Sequence, residues 1–361
     1  MRFEITRLDP SSQRADLIPL WRDNLYAAAS GKAHLLGKRF DWIYRENPDR
    51  PATTWVARPA ADGDTAVVGC ASLYPRSFWF RNEELPVGTG CDFAVAKAFR
   101  VFGPALSLQR SLVNNSLNDG FRFLFVRPDR PSIGLFRRVG YRRFRDVERW
   151  VKVLRPERYA EDINNSQLVV ALSRLAARGL EVLDQAFRAP LVVDLLRTRT
   201  EIIDHPDQRF DALWAEASSR YTFAEMRSSS YLRWRYDTIP MQRNRFFCLA
   251  SRGGDRLLGY IVFSVEGNIV DIEDLFARDT GRSLDCLLVE FIHAMHREGM
   301  SAISVVFLDN RAFKAKLKRM FFLKREQMNP LLVFFDPLAP AAMKDGISQS
   351  ELLMFNGGMD I

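Results

Sequence analysis

Residues 91–109, CDFAVAKAFRVFGPALSLQ, put a strand-like run, a basic loop and a helix start in immediate succession. The residue types in the loop suit one task, holding an anion against backbone. Gly103 lets a phosphate approach the chain, and Pro104 occupies a first-turn helical position where its missing N–H is not needed. The free N–H groups around Ala105, with the helix dipole behind them, favour negative charge. Arg100 adds a cation three residues before the glycine. An ordinary loop is the alternative that a single glycine leaves open. Further along, residues 122–155 hold eleven Lys and Arg side chains against three acidic ones, either a solvated arginine-rich face or a surface for anions.

These groups need elements to carry them, and the chain supplies the same series twice. WIYRENP (42–48) and WRYDTIP (234–240) share the spacing Trp-x-Tyr-x-x-x-Pro. Around each lies the same order of patterns. A strand-like start is followed by an amphipathic helix reaching Trp21 or Trp214, and then by several alternating strands that turn at Arg81-Asn82 or Glu266-Gly267-Asn268. A leucine-spaced helix, a buried strand, a short basic helix and a last strand complete each half. Two copies of one α+β (α/β) unit are expected, each a mixed, mostly antiparallel sheet flanked by helices. The expected divisions are an N-terminal unit over 1–155, a helical connector over 156–198, a C-terminal unit over 199–335 and a fraying tail over 336–361.

The 361 residues leave room for two such cores, and 47% hydrophobic with 27% charged residues is ordinary globular composition. No run of about 18 apolar residues is present, so a cytoplasmic location without a membrane span is expected. A net charge of +8 favours anionic partners. The four cysteines, far apart in apolar surroundings, read as small buried hydrophobes. Glu290, His293 and His296 share one helix face but lack a further ligand motif, so no metal site is expected.

Together, Arg100-Val101-Phe102-Gly103-Pro104-Ala105 and the segment from Asp129-Arg130-Pro131-Ser132 to Gly140-Tyr141 resemble the GNAT superfamily of acyl-coenzyme A dependent N-acyltransferases. The tandem arrangement is similar to bacterial proteins linked to surface polysaccharide synthesis. The resemblance implies acetyl-CoA or another acyl-CoA as cosubstrate and transfer to an amine, such as an amino sugar. It implies that backbone at Asp92, Phe93, Ala94 and Val95 pairs with the pantetheine arm, that Arg100 to Ala105 hold the pyrophosphate, and that Asp129 and Ser132 border the coenzyme. Asp92, beside the expected thioester, is then the candidate base, with a loop cap as its alternative role. Strand alternation sets Asp92 and Ala94 on one side and Phe93 and Val95 on the other. Phe136 stands where many members place a tyrosine acid, so the proton donor is not identified.

In the second half the glycine spacing is lost at ARDTGRSLDC (277–286), while Asp271, Glu273 and Asp274 suit a cationic acceptor or mark a supporting unit. Two other functions stay open: a Fem-type transferase drawing its acyl group from aminoacyl-tRNA, which the short basic track disfavours, and a degenerate acyl-CoA-binding regulator. Oligomeric state, acyl chain and acceptor are not encoded in any motif found.

Overall fold

The computed structural model describes residues 2–8, 14–25, 34–60, 66–157, 178–179 and 181–359. Its first half runs β1 (Phe3–Arg7), α1 (Arg14–Asn24), α2 (Leu36–Tyr44), β2 (Thr53–Pro59), β3 (Gly69–Phe80), β4 (Glu83–Val95), α3 (Pro104–Asn118), β5 (Phe123–Val126), α4 (Ile133–Val139) and β6 (Arg142–Val153). After a largely undescribed stretch come β7 (Thr198–Ile203), α5 (Gln208–Ala217), β8 (Phe223–Glu225), β9 (Asn244–Ser251), β10 (Leu257–Glu266), β11 (Ile269–Ala277), α6 (Arg282–Arg297), β12 (Ala302–Leu308), α7 (Arg311–Arg319) and β13 (Leu323–Phe335). Most of the expected connector lies outside the described residues; within it, 181–188 is helical.

All strands join one 13-stranded sheet in the order β1-β2-β3-β4-β5-β13-β6-β12-β11-β10-β9-β7, with β8 attached to β3. Read inward from either edge, the pattern is the same: antiparallel neighbours up to β4 or β11, then a parallel step to β5 or β12. At the centre the last strands cross over. β13 pairs antiparallel with β5, and β6 pairs antiparallel with β12 and β13. Backbone hydrogen bonds of β6 therefore bind residues on both sides of position 155 into one sheet.

The repeated tryptophan motifs meet on this axis. Trp42 and Trp234 stack with centroids 5.0 Å apart and planes at 23°. Each indole N–H donates to the other's carbonyl, Trp42 Nε1 to Trp234 O at 2.6 Å and Trp234 Nε1 to Trp42 O at 2.7 Å. Burial of both rings with both N–H groups satisfied makes this a cross-brace between the halves.

Helix α3 shows how sequence spacing becomes position. Leu108 and Leu112, four residues apart, fall on one face with Val113 and pack on Ala71, Leu73 and Leu124 of the sheet. The turn that opens the helix is thereby held beside the end of β4. In the second half α6 repeats this with Leu284, Leu287, Leu288 and Phe291.

The fraying expected of the tail is not found. Helices α8 (Ala341–Gln349) and α9 (Asn356–Met359) pack onto the sheet, with Ile347, Leu352, Met354 and Phe355 fully buried. Too few apolar residues lie in periodic spacing to announce this; the partners, Phe307 and Phe313, come from distant strands and helices. Phe355→Ala is expected to lower the unfolding free energy by about 3–5 kcal/mol, since a fully buried ring leaves a cavity; urea denaturation reads the change.

Candidate active site

Strands β4 and β5 pair only over Val87–Thr89 and Phe123–Phe125, and then part. Close approach at the crotch depends on Gly88, where a Cβ would come within 2.7 Å of the Leu124 side chain. Beyond it β4 bulges: Ser72 of β3 faces Cys91, yet Cys70 faces Ala94, and Asp92 takes a left-handed φ of 47°. The bulge turns β4 away and leaves its edge beyond Thr89 without a β5 partner. A cavity of about 470 Å³ fills the gap, lined by Cys91, Asp92 and Phe93 of β4, Gln109 and Leu112 of α3, and Asp129, Ser132, Phe136 and Tyr141 around α4.

At the neighbouring start of α3, Gly103 has φ 86° and Pro104 is the first helical residue; no side chain caps the helix. The first-turn N–H groups are thus free for an anion, and the dipole adds positive potential. Arg100 turns away from this seat, its Nε donating to Val95 O at 3.0 Å, and Val101 is 85% exposed. The structure places Asp92, Phe93, Asp129 and Ser132 around the cavity, while Arg100 to Ala105 form the separate helix opening. Exposed Arg130, Arg137 and Arg138 flank α4.

The equivalent helix in the second half is capped. Asp279 Oδ1 accepts from Gly281 N at 2.9 Å and Ser283 N at 3.3 Å, so a fixed carboxylate occupies the anion position of α6. The gap beyond the β11–β12 pairing, which ends at Ile272 and Val305, is also filled: Leu308 N donates to Met354 O at 2.9 Å and Asn356 Nδ2 to Glu273 Oε2 at 3.1 Å. Two of the three acidic residues expected to meet a cationic acceptor, Glu273 and Asp274, are internally committed. Asp274 is gripped by Arg227 through two bonds of 2.9 Å, and Glu273 accepts from Gln242 at 2.7 Å.

Asp92 is corrected in the same way. Arg39 Nη1 lies 2.8 Å from its Oδ1 and 2.9 Å from its Oδ2, with both side chains almost wholly buried. The Tyr44 hydroxyl is 2.9 Å from Oδ2, and burial, followed by the Asp92 charge, pushes its pKa well above the usual phenol value, so it remains a neutral donor. The Asp92 carboxylate is thus charge-compensated within the fold, its oxygens already accepting from a guanidinium and a phenol. Its repeat position agrees. Gly69 faces Val95 and Gly259 faces Ala277, so Asp92 and Asp274 stand three residues before equivalent positions. Both hold a buried arginine, including in the half whose gap is filled. Asp92 thus anchors the bulge rather than presenting a free base.

The expected alternation survives the bulge: Ala94 packs with Cys70 on the α1–α2 side, while Phe93 and Val95 face α3. Asp129 Oδ1 accepts from Ser132 N at 3.1 Å, which shapes the entry to α4. Phe136 is buried edge-on against Phe93 at 5.7 Å and Tyr141 at 5.3 Å. Sequence reasoning missed Gln109; its legible signal was a carboxamide interrupting the apolar stripe Ala105, Leu108, Leu112.

The arginine-rich segment is not one anion surface. Lys152 binds Asp184 at 2.9 Å, Arg149 donates to Ser304 at 3.0 Å, and Arg127 donates to Asn356 at 3.2 Å, so much of it ties the halves and tail together. Glu290 and His296 are likewise held, by Arg188 at 2.8 Å and Asp184 at 3.1 Å. Among the described residues no helix is long and apolar enough to cross a membrane.

The parted strands β4 and β5 lie beside the uncapped, glycine-led start of α3. Residues 16–141 match the model of the acetyltransferase (GNAT) family. The chain as a whole has the fold of solved GCN5-related N-acetyltransferases. A probable N-acyltransferase of unknown function from Enterococcus faecalis V583 superposes with TM-score 0.65 at 9% identity, covering 93% of this chain and 72% of that one. A GCN5-related N-acetyltransferase from Anabaena variabilis ATCC 29413 gives TM-score 0.63 at 16% identity, covering 92% and 73%. A putative acetyltransferase from Pyrococcus horikoshii gives 0.53 at 10% identity, covering 99% and 94%. No curated protein matches the sequence.

Proposed function

We propose that the first half binds an acyl-coenzyme A and transfers its acyl group to an amine, with the second half serving as a supporting unit. The observation that carries this reading is the uncapped start of α3 opening beside a cavity whose β4 edge has lost its strand partner. A pyrophosphate at the N–H groups of Phe102, Gly103 and Ala105 would set the pantetheine arm along Asp92 to Val95, and the thioester would lie in the gap between β4 and β5. A neutral amine attacks the thioester carbonyl, the C–N bond forms, the C–S bond breaks, the sulfur leaves with its electron pair, and the proton that the nitrogen gives up passes to the leaving thiolate, directly or through solvent. No metal is required for this chemistry. The division into units at 155 and 199, the cytoplasmic setting and a glycan amine as acceptor belong to the same proposal.

A regulatory acyl-CoA-binding protein is the second reading, favoured by Phe136 at the acid position and by the neutralised Asp92. Isothermal titration with acetyl-CoA is expected to show one site per chain. Absence of binding removes both readings and directs attention to the aminoacyl-tRNA alternative, tested by a gel shift across salt concentrations. Given binding, thiol release in a panel of amines marks an enzyme, and its absence marks the regulator.

A further inference from the structure

Two buried polar groups of the cavity have nothing to bind within the protein. Gln109 is 3% exposed, and its Oε1 accepts no hydrogen bond. Tyr141 is also 3% exposed and lines the same space, and its hydroxyl has no hydrogen-bond partner among the described residues. Buried carboxamides and phenols are ordinarily paired, because leaving one unpaired costs about 1–3 kcal/mol. Beside them stand the apolar side chains of Phe93, Leu112, Val126 and Phe136, while Asp92, Asp129 and Ser132 lie elsewhere on the lining.

We propose that Gln109 and Tyr141 are specificity-determining residues that hydrogen-bond an amide or hydroxyl group of the acyl thioester inside this cavity. The inference rests on the acyl-coenzyme A reading and adds to it what the cavity selects. A carboxamide offers both donor and acceptor, and a phenol offers an O–H with an accepting oxygen, so an amide or a hydroxyl is matched from two walls, α3 and the residue after α4. A purely alkyl ligand segment at that depth would leave both groups unpaired and bind less well. Burial alone pushes the Tyr141 phenol well above its ordinary pKa, so it stays protonated and able to donate throughout the neutral range. The matching group has two possible sources, the amides and hydroxyl of the pantetheine arm or a polar substituent on the acyl chain.

Gln109→Met and Tyr141→Phe keep shape and remove the polar atoms. Titrations with coenzyme A, butyryl-CoA and 3-hydroxybutyryl-CoA are expected to show each variant weakened by about three- to tenfold, the range of one neutral hydrogen bond. Equal loss on all three probes assigns the pantetheine arm; loss confined to 3-hydroxybutyryl-CoA assigns the acyl substituent. Melting temperature of the free protein is expected to hold or rise for Gln109→Met, which deletes an unpaired buried oxygen, and to hold for Tyr141→Phe; a structural role would lower it without altering affinity. Wild-type affinity for all probes in both variants overturns the proposal. Failure of the parent protein to bind any probe overturns the coenzyme reading itself, and this inference with it.

Discussion

Gly103→Glu is expected to weaken acetyl-CoA binding by about a hundredfold, the largest effect of any single change at the site. Two causes act together. At φ 86° any residue other than glycine or asparagine is strained, by roughly 1–2 kcal/mol. A carboxylate at the uncapped start of α3 also competes with the pyrophosphate for the same N–H groups. Like charges about 4 Å apart near a protein surface repel by up to about 4 kcal/mol, and screening leaves a share of the order of 2–3 kcal/mol. The α6 helix already displays the outcome, since Asp279 occupies its N–H groups from within the chain. Gly103→Asn separates charge from geometry: asparagine tolerates the left-handed region, and a Cβ there meets nothing within 4 Å. That variant is expected to retain affinity within about threefold. Undiminished binding by Gly103→Glu, measured by titration calorimetry, would move the anion seat away from α3.

Arg39→Met is expected to cost about 3–5 kcal/mol of stability, because it strands the Asp92 carboxylate in a buried site. Asp92→Asn should also destabilise the fold, leaving the guanidinium without its counter-charge. Combining Arg39→Met with Asp92→Leu removes both charges and should recover much of the loss, giving a strongly non-additive cycle in urea unfolding. A different pattern would restore Asp92 as the base: Asp92→Asn as stable as the parent, yet with turnover reduced by about 10²–10⁴. The contrast separates a scaffold carboxylate from a catalytic one without assuming the acceptor.

Much of the local structure was legible. The α3 helix, its glycine-proline opening and the strand before it follow from residue types that few other conformations accommodate. Phe93 and Val95 face α3 as their alternation requires, and the motif Trp-x-Tyr-x-x-x-Pro marked equivalent positions before any contact was visible. The acidic second-half strand misled, because a carboxylate's availability depends on partners far away in sequence. Arg227 stands 47 positions before Asp274, and Asn356 lies 83 beyond Glu273.

The amino-acid sequence by itself determined the element series, its similar order in the two halves and the glycine-proline opening of α3. Those properties arise from interactions within a few residues: hydrophobic periodicity, proline's missing N–H, and glycine's access to positive φ. Only the tertiary structure decided which carboxylates are free, which gap is open and where the tail lies. Each of those outcomes depends on contacts between segments distant along the chain, through burial and charge pairing that no local pattern encodes. The exchange of β6 and β13 at the centre of the sheet, and the tail filling the second gap, are its clearest decisions.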